Sequence, residues 1–158
     1  MPRLWNHLDL SGARKPVKLP AIRACVRRSK GLITHATFNR VATANSDILK
    51  HVTSRAEGLR HLEIMNGFTG SSMIEAAPLA RNLTTLIVSL NCDITLDAVT
   101  RLLSLCDKLE RAEFHSIYSS GAVAQWQIGS KLRTLALKAA QGLESANVTS
   151  NMVRIPRV

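Results

Sequence analysis

The chain has 158 residues, a 46% apolar share and a formal net charge of +10. That length supports one domain with its own core, and the apolar share excludes wholesale disorder. Aromatic residues make up only 4% of the chain, so aliphatic side chains carry the apolar content, which suits layers that must fit one another.

The charge is unevenly placed. Residues 1–60 hold 12 Lys/Arg against 3 Asp/Glu, whereas residues 61–158 hold 9 against 8, so the basicity belongs to the N-terminal third. Such a patch attracts nucleic acid, acidic protein segments or anionic lipid, or serves simply as a solvated face. Cys25, Cys92 and Cys106 make an odd set at no metal-ligand spacing, and no disulfide framework is expected. The opening Met1-Pro2-Arg3-Leu4-Trp5 lacks the apolar run of a signal peptide, and no stretch approaches the ~20 apolar residues that cross a bilayer. A cytoplasmic or nuclear protein with no membrane partner is the expectation. The triplets Asn82-Leu83-Thr84 and Asn147-Val148-Thr149 are then chance sequons.

In chain order, a short apolar pattern with an alternating end recurs six times. It reads Trp5-Leu8-Leu10, Ile33-Ala36-Phe38, Leu59-Leu62-Ile64, Leu83-Leu86-Val88, Leu109-Ala112-Phe114 and Leu132-Leu135-Leu137. The starts are 28, 26, 24, 26 and 23 residues apart, all within the spacing of leucine-rich repeats. Alternate side chains of a strand share a face, so the last two fixed positions of each pattern point into a core.

Return segments follow each strand. Ala21, Ile22, Cys25 and Val26 give the first a helical apolar face, and Ser46 can cap a second helix carrying Ile48, Leu49, Val52 and Ala56. The third connection, Ser71 to Ala80, contains Pro78 and should be a shorter or broken helix. Thr95 can cap a fourth, carrying Ala98, Val99, Leu102, Leu103 and Cys106. A doubly wound βαβ sheet would need longer units and strands with near-continuous apolar runs, yet His61-Leu62-Glu63-Ile64 alternates. The expected fold is therefore an α/β leucine-rich-repeat solenoid of five to six repeats over residues 1–138, with a parallel sheet inside and helices outside. Residues 139–158 read as an irregular or frayed tail, since a further hit at Leu143-Ala146-Val148 begins too soon after Leu132 for a return segment.

One stretch carries a finer likeness. Leu83-Thr-Thr-Leu86-Ile-Val88-Ser-Leu-Asn91-Cys92-Asp93-Ile94-Thr95, continuing to Cys106-Asp-Lys-Leu109-Glu-Arg-Ala112-Glu-Phe114, resembles the cysteine-containing class of leucine-rich repeats. Cys106 takes the leading cysteine place, Asn91 the second cysteine or asparagine place, and Ile94-Thr95 the Ile-Thr pair, while Asp97 is displaced by one. The opening Leu4 to Ala13, followed by Ala24 to Ser29, looks like the segment after the F-box in fungal F-box/leucine-rich-repeat proteins. That resemblance implies the substrate-recognition part of a ubiquitin-ligase receptor, binding a protein and catalysing nothing itself. It covers roughly residues 4–137. No F-box precedes Leu4, so on this resemblance the chain holds a substrate but docks on the ligase adaptor only through a segment upstream. The cysteine or asparagine place is poorly kept in the other repeats, where Ala13, Val41, Gly67, Ile117 and Ala140 stand.

Repeat folds bind through their concave sheet, so the outward strand positions are the candidate site. They form one column of His7, His35, His61, Thr85, Arg111 and Thr134 and a second of Asp9, Thr37, Glu63, Ile87, Glu113 and Ala136. A third runs Ser11, Asn39, Met65, Ser89, His115 and Lys138. Three aligned imidazoles suggest a protein contact surface, a pH-sensitive one, or zinc ligation, but flat solenoid strands converge poorly on a tetrahedral ion. A second candidate is basic: Arg23, Arg27 and Lys30 at i, i+4, i+7, with Arg28 beside them and Arg14, Lys15 and Lys18 before them. It could meet phosphates, though it lacks interleaved aromatics and any groove-reading motif.

Catalysis finds no support in a Gly-rich loop, paired carboxylates or a Cys–His pairing, and no metal or cofactor is expected. Cys92 beside Asp93 reads as a loop or core position, Cys25 and Cys106 as core, and Trp5 and Trp126 as packing residues.

Overall fold

The computed structural model describes residues 5–12, 17–39, 46–65, 67–89, 94–118, 131–139 and 152–154. Six parallel strands pair in chain order: β1 (His7–Asp9), β2 (His35–Phe38), β3 (His61–Ile64), β4 (Thr85–Val88), β6 (Arg111–Tyr118) and β7 (Thr134–Ala139). Between them run α1 (Leu19–Ser29), α2 (Ser46–Arg55), α3 (Gly70–Ala76) and α4 (Leu96–Leu105). A two-residue strand, β5 (Ile94–Thr95), pairs with the far end of β6, and β8 (Met152–Arg154) adds antiparallel to β7. This is a mixed α/β fold with one sheet that advances one strand at a time.

The strands alternate, and the alternation decides where the core lies. Leu8, Ala36, Phe38, Leu62, Ile64, Leu86, Val88, Ala112, Phe114 and Leu135 are buried, while the residues between them remain partly exposed. The buried positions join Ile22, Val26, Ile48, Leu49, Val52, Met73, Val99 and Leu102 from the helices in one continuous core. Phe38 meets Phe68 edge-on, with ring centroids 5.9 Å apart. The helices thus cover one face of the sheet, and the other face stays open.

The same joints recur along the sheet. The carbonyls of Asn6, Thr34, Arg60, Thr84 and Glu110 each accept two backbone N–H groups from the start of the next strand. At the turn entering each strand, Leu32 N–H donates to Ser29 O, Leu59 to Ala56, Leu83 to Ala80 and Leu109 to Cys106. Side chains tie neighbouring turns as well: Asn82 Nδ2 donates to Glu57 O, and Lys108 Nζ donates to Asn82 Oδ1.

Local chemistry explains the helix ends. Thr95 Oγ1 accepts from Ala98 N–H and Thr69 Oγ1 accepts from Ser72 N–H, so both helices begin on a threonine cap. Helix α1 has no side-chain cap and carries Pro20 in its first turn instead, which supplies a helical φ and needs no N–H partner. It ends at Lys30, in the left-handed region at φ 49°, followed by Gly31 at φ 79°. Pro78 stops α3, and the chain continues as a 3-10 turn over Ala77–Leu79.

Two details differ from the sequence reading, and a third was not anticipated by it. Trp5 is 41% exposed and is not a packing residue. Strand β7 runs to Ala139, and Met152–Arg154, within the segment read as an irregular tail, forms a strand. Register shifts between His115 and Ile117, so side-chain parity reverses and Ile117, an odd-numbered residue, points into the core.

Candidate functional site

The open face is built by register. His7 pairs with His35, His35 with His61, His61 with Thr85, Thr85 with Arg111 and Arg111 with Thr134, forming one unbroken column. Asp9, Thr37, Glu63, Ile87, Glu113 and Ala136 form the second column in the same ladder. Each step is one strand spacing, about 4.8 Å, so the columns run across the sheet as parallel rows. The third row is less regular. Asn39 Nδ2 donates to Ser11 O, His115 pairs with Lys138, and Ser89 is buried instead of facing solvent.

The imidazoles stack. His7 and His35 lie nearly parallel, with centroids 4.3 Å apart and planes 3° from each other, and His61 continues the stack at 5.2 Å and 29°. Thr34 Oγ1 sits 2.9 Å from His35 Nδ1 and donates its single hydrogen to Asn6 O.

Burial lowers the pKa of His35 below its ordinary 6.5, and the neighbouring His7 and His61 push it further down. Burial also lowers His61, helped by Arg111 and His7, while Glu63 opposes the shift. Two like charges at such a spacing repel by about 1 kcal/mol in water and more near a protein surface, so a proton on one ring of the stack disfavours a proton on the next. Lone pairs of stacked rings lie in parallel planes and do not converge on one ion. Among the described residues no group of three His, Cys, Asp or Glu side chains is placed to hold a metal.

Farther along the face, Arg111 Nε donates to Glu113 Oε1 at 2.7 Å, and a second guanidinium nitrogen binds the same oxygen. His115 Nε2 lies 3.6 Å from Glu113 Oε2. Burial would raise the Glu113 carboxyl, but the hydrogen bonds and charges of Arg111 and His115 outweigh it and hold the carboxyl low. At the other end, Asp9 accepts the Ser11 N–H at 2.8 Å, and hydrogen bonding to Ser11 is the main cause of its lowered pKa. All twelve residues expected in the first two columns stand in them.

The basic candidate lies on the opposite side, among the helices. Arg23, Arg27, Arg28 and Lys30 are exposed on α1 or at its end, Lys18 is exposed at its start, and Arg14 and Lys15 lie outside the described residues. The patch reaches further than the sequence suggested. His51, on α2, has its pKa lowered by burial and then by Arg23 and Arg55, so those two cations sit close to one imidazole. Lys50 of the same helix is neutralised by Glu75 of α3.

Cys106 is buried, and burial with Asp107 nearby pushes its thiol up to about 12, which makes it inert packing. Cys25 is partly buried against the core. Cys92 and Trp126 lie outside the described residues. Among the described residues no helix is long and apolar enough to cross a membrane. The chain matches no family model, and no curated protein matches it.

Proposed function

We propose that the chain is a leucine-rich-repeat solenoid whose open sheet face binds another protein, and that it is a non-catalytic recognition module. The observation that carries this reading is the in-register open face: two continuous columns of polar, partly exposed side chains on strands whose other face is a single core. Strand spacings of 23 to 28 residues and the recurring turn and carbonyl joints support the repeat assignment. A rigid sheet that holds side chains at fixed spacing is preorganised, and a partner docking on it orders few groups.

The resemblance of the Cys106 and Ile94-Thr95 motif to F-box repeats extends the proposal: the partner is a protein destined for ubiquitin transfer, and this chain is the part that selects it. A tag at the C-terminus of the native gene product tests this. Co-purification of a cullin and its adaptor supports the ligase role, and a product that brings down a protein partner without either subunit removes that role and leaves the binding module.

A second reading has one observation in its favour. Arg23 and Arg55 lie close to His51 across two neighbouring helices, with Arg27 and Arg28 in the last turn of α1, and this array fits a phosphate backbone. Binding to a nucleic-acid duplex should then fall linearly with salt on logarithmic axes, with a slope set by the number of contacts. A flat dependence removes it.

A further inference from the structure

The three N-terminal strands of the open face carry a combination of charges unlike the rest of the molecule. Their open-face positions are His7, Asp9, His35, Thr37, His61 and Glu63, with no Lys or Arg among them. The nearest cation in the columns is Arg111, two strands beyond β3, and it is paired with Glu113. Strand β4 offers only Thr85 and Ile87. The fixed charges at these six positions are thus the two carboxylates, in a chain whose formal charge is +10. Of the described cations of the same N-terminal third, Arg23, Arg27 and Arg28 stand on α1 and Lys50 and Arg55 on α2, and Arg60 precedes β3 outside the columns.

We propose that β1–β3 receive a Lys- or Arg-rich segment of the partner protein along the Asp9–Glu63 column, and that protonation of the stacked His7–His35–His61 column expels it. This rests on the reading of the open face as the binding surface. The charge complementarity is direct: two carboxylates face solvent on alternate strands of one column, and among the described column residues of β1–β3 a cationic side chain over them meets no fixed positive charge. The imidazoles adjoin the carboxylates in the next column. Each proton taken up adds one positive charge, so three would turn a half-face of two negative charges into one of net positive sign.

The stack also determines how this happens. Facing the three rings are one another, Asp9 and Glu63 on their own strands, and Arg111 with Glu113 beyond β4. His35, flanked on both sides by another imidazole, takes its proton against the largest repulsion, so a proton on one ring opposes a proton on its neighbour. A bound cationic segment adds to that repulsion, and by linkage the segment and the protons exclude each other.

The test uses the intact chain and a short peptide of alternating arginine and serine, with a glutamate–serine peptide as control. Binding is followed through the imidazole proton signals of His7, His35 and His61 by NMR. At pH 7.5 the arginine peptide should shift these signals and bind about tenfold more tightly than the glutamate peptide. At pH 5.5 its affinity should fall by about the same factor. Asp9→Asn with Glu63→Gln should abolish the preference, and replacing all three histidines by Gln should keep binding at pH 5.5 equal to that at pH 7.5. Preference for the glutamate peptide at pH 7.5, or acid release that persists without the histidines, overturns the inference.

Its failure is separable from failure of the binding face itself. A native partner lost on Thr37→Arg with Ile87→Arg but indifferent to Asp9→Asn with Glu63→Gln leaves the face and removes the basic segment. A partner retained through all four changes removes the face.

Discussion

Along β3, Leu62 and Ile64 are fully buried, whereas their immediate neighbours His61 and Glu63 remain partly exposed. The same contrast runs through every strand from β1 to β4, so the two sides of one sheet answer to different physics. The inner side is close-packed between helices and sheet, and a methylene lost there leaves a void. The outer side touches water, and a change there alters what the surface offers. Packing and exposed surface are thereby separated within single residues of sequence, so the open face can vary while the core stays fixed.

The sharpest way to break this comparison is to truncate one residue on each side. Leu62→Ala should destabilise the protein by about 2–5 kcal/mol, whereas Glu63→Ala should change stability by no more than about 0.5 kcal/mol. Denaturant midpoints of the two variants measure the difference, and equal losses would contradict a one-sided core. Next in size is the cap of α4. Thr95→Ala removes the acceptor of the Ala98 N–H and should cost about 1 kcal/mol, read by the same unfolding curves.

The open face should reveal itself through pH more than through truncation. His35 and His61 have pKa values lowered in the folded state, so the unfolded chain binds more protons as pH falls through about 6.5. The stability they favour is complete above that value and declines below it. Asp9 and Glu113, held low in the fold, lose their contribution only in stronger acid. Thermal midpoints should therefore rise from pH 5 to pH 7.5, and His35→Gln should flatten the rise. The smallest effect belongs to the Arg111–Glu113 pair, whose guanidinium is 55% exposed. Arg111→Ala should cost no more than about 1 kcal/mol, and less as salt is added.

Much of this arrangement is legible in the sequence because it depends on period alone. Alternation in His61-Leu62-Glu63-Ile64 fixes which side each residue takes, and the spacing of successive patterns aligns His7, His35 and His61 before any coordinates are known. Thr95 announces its helix because a threonine before an apolar face satisfies a free N–H. Other features depend on tertiary detail that no period encodes. The bulge after His115 reverses the parity of Ile117, and nothing in the local pattern marks it. Strand β8 is three residues long and exists through its pairing with β7. Ring stacking depends on side-chain rotamers, so the sequence aligns the imidazoles but leaves their face-to-face contact unspecified. The basic patch was legible only along α1, because Arg55 joins Arg23 through His51 across two helices.

The most direct test of the central claim sets the two sides of the molecule against each other. The native tagged protein, its Thr37→Arg with Ile87→Arg variant and its Arg23→Glu with Arg27→Glu variant are purified from the same cells, and their bound partners are quantified. Loss of the partner from the sheet-face variant alone, with the helix-face variant unaffected, is the predicted result. Loss from the helix-face variant alone would contradict the account and move recognition to the basic side.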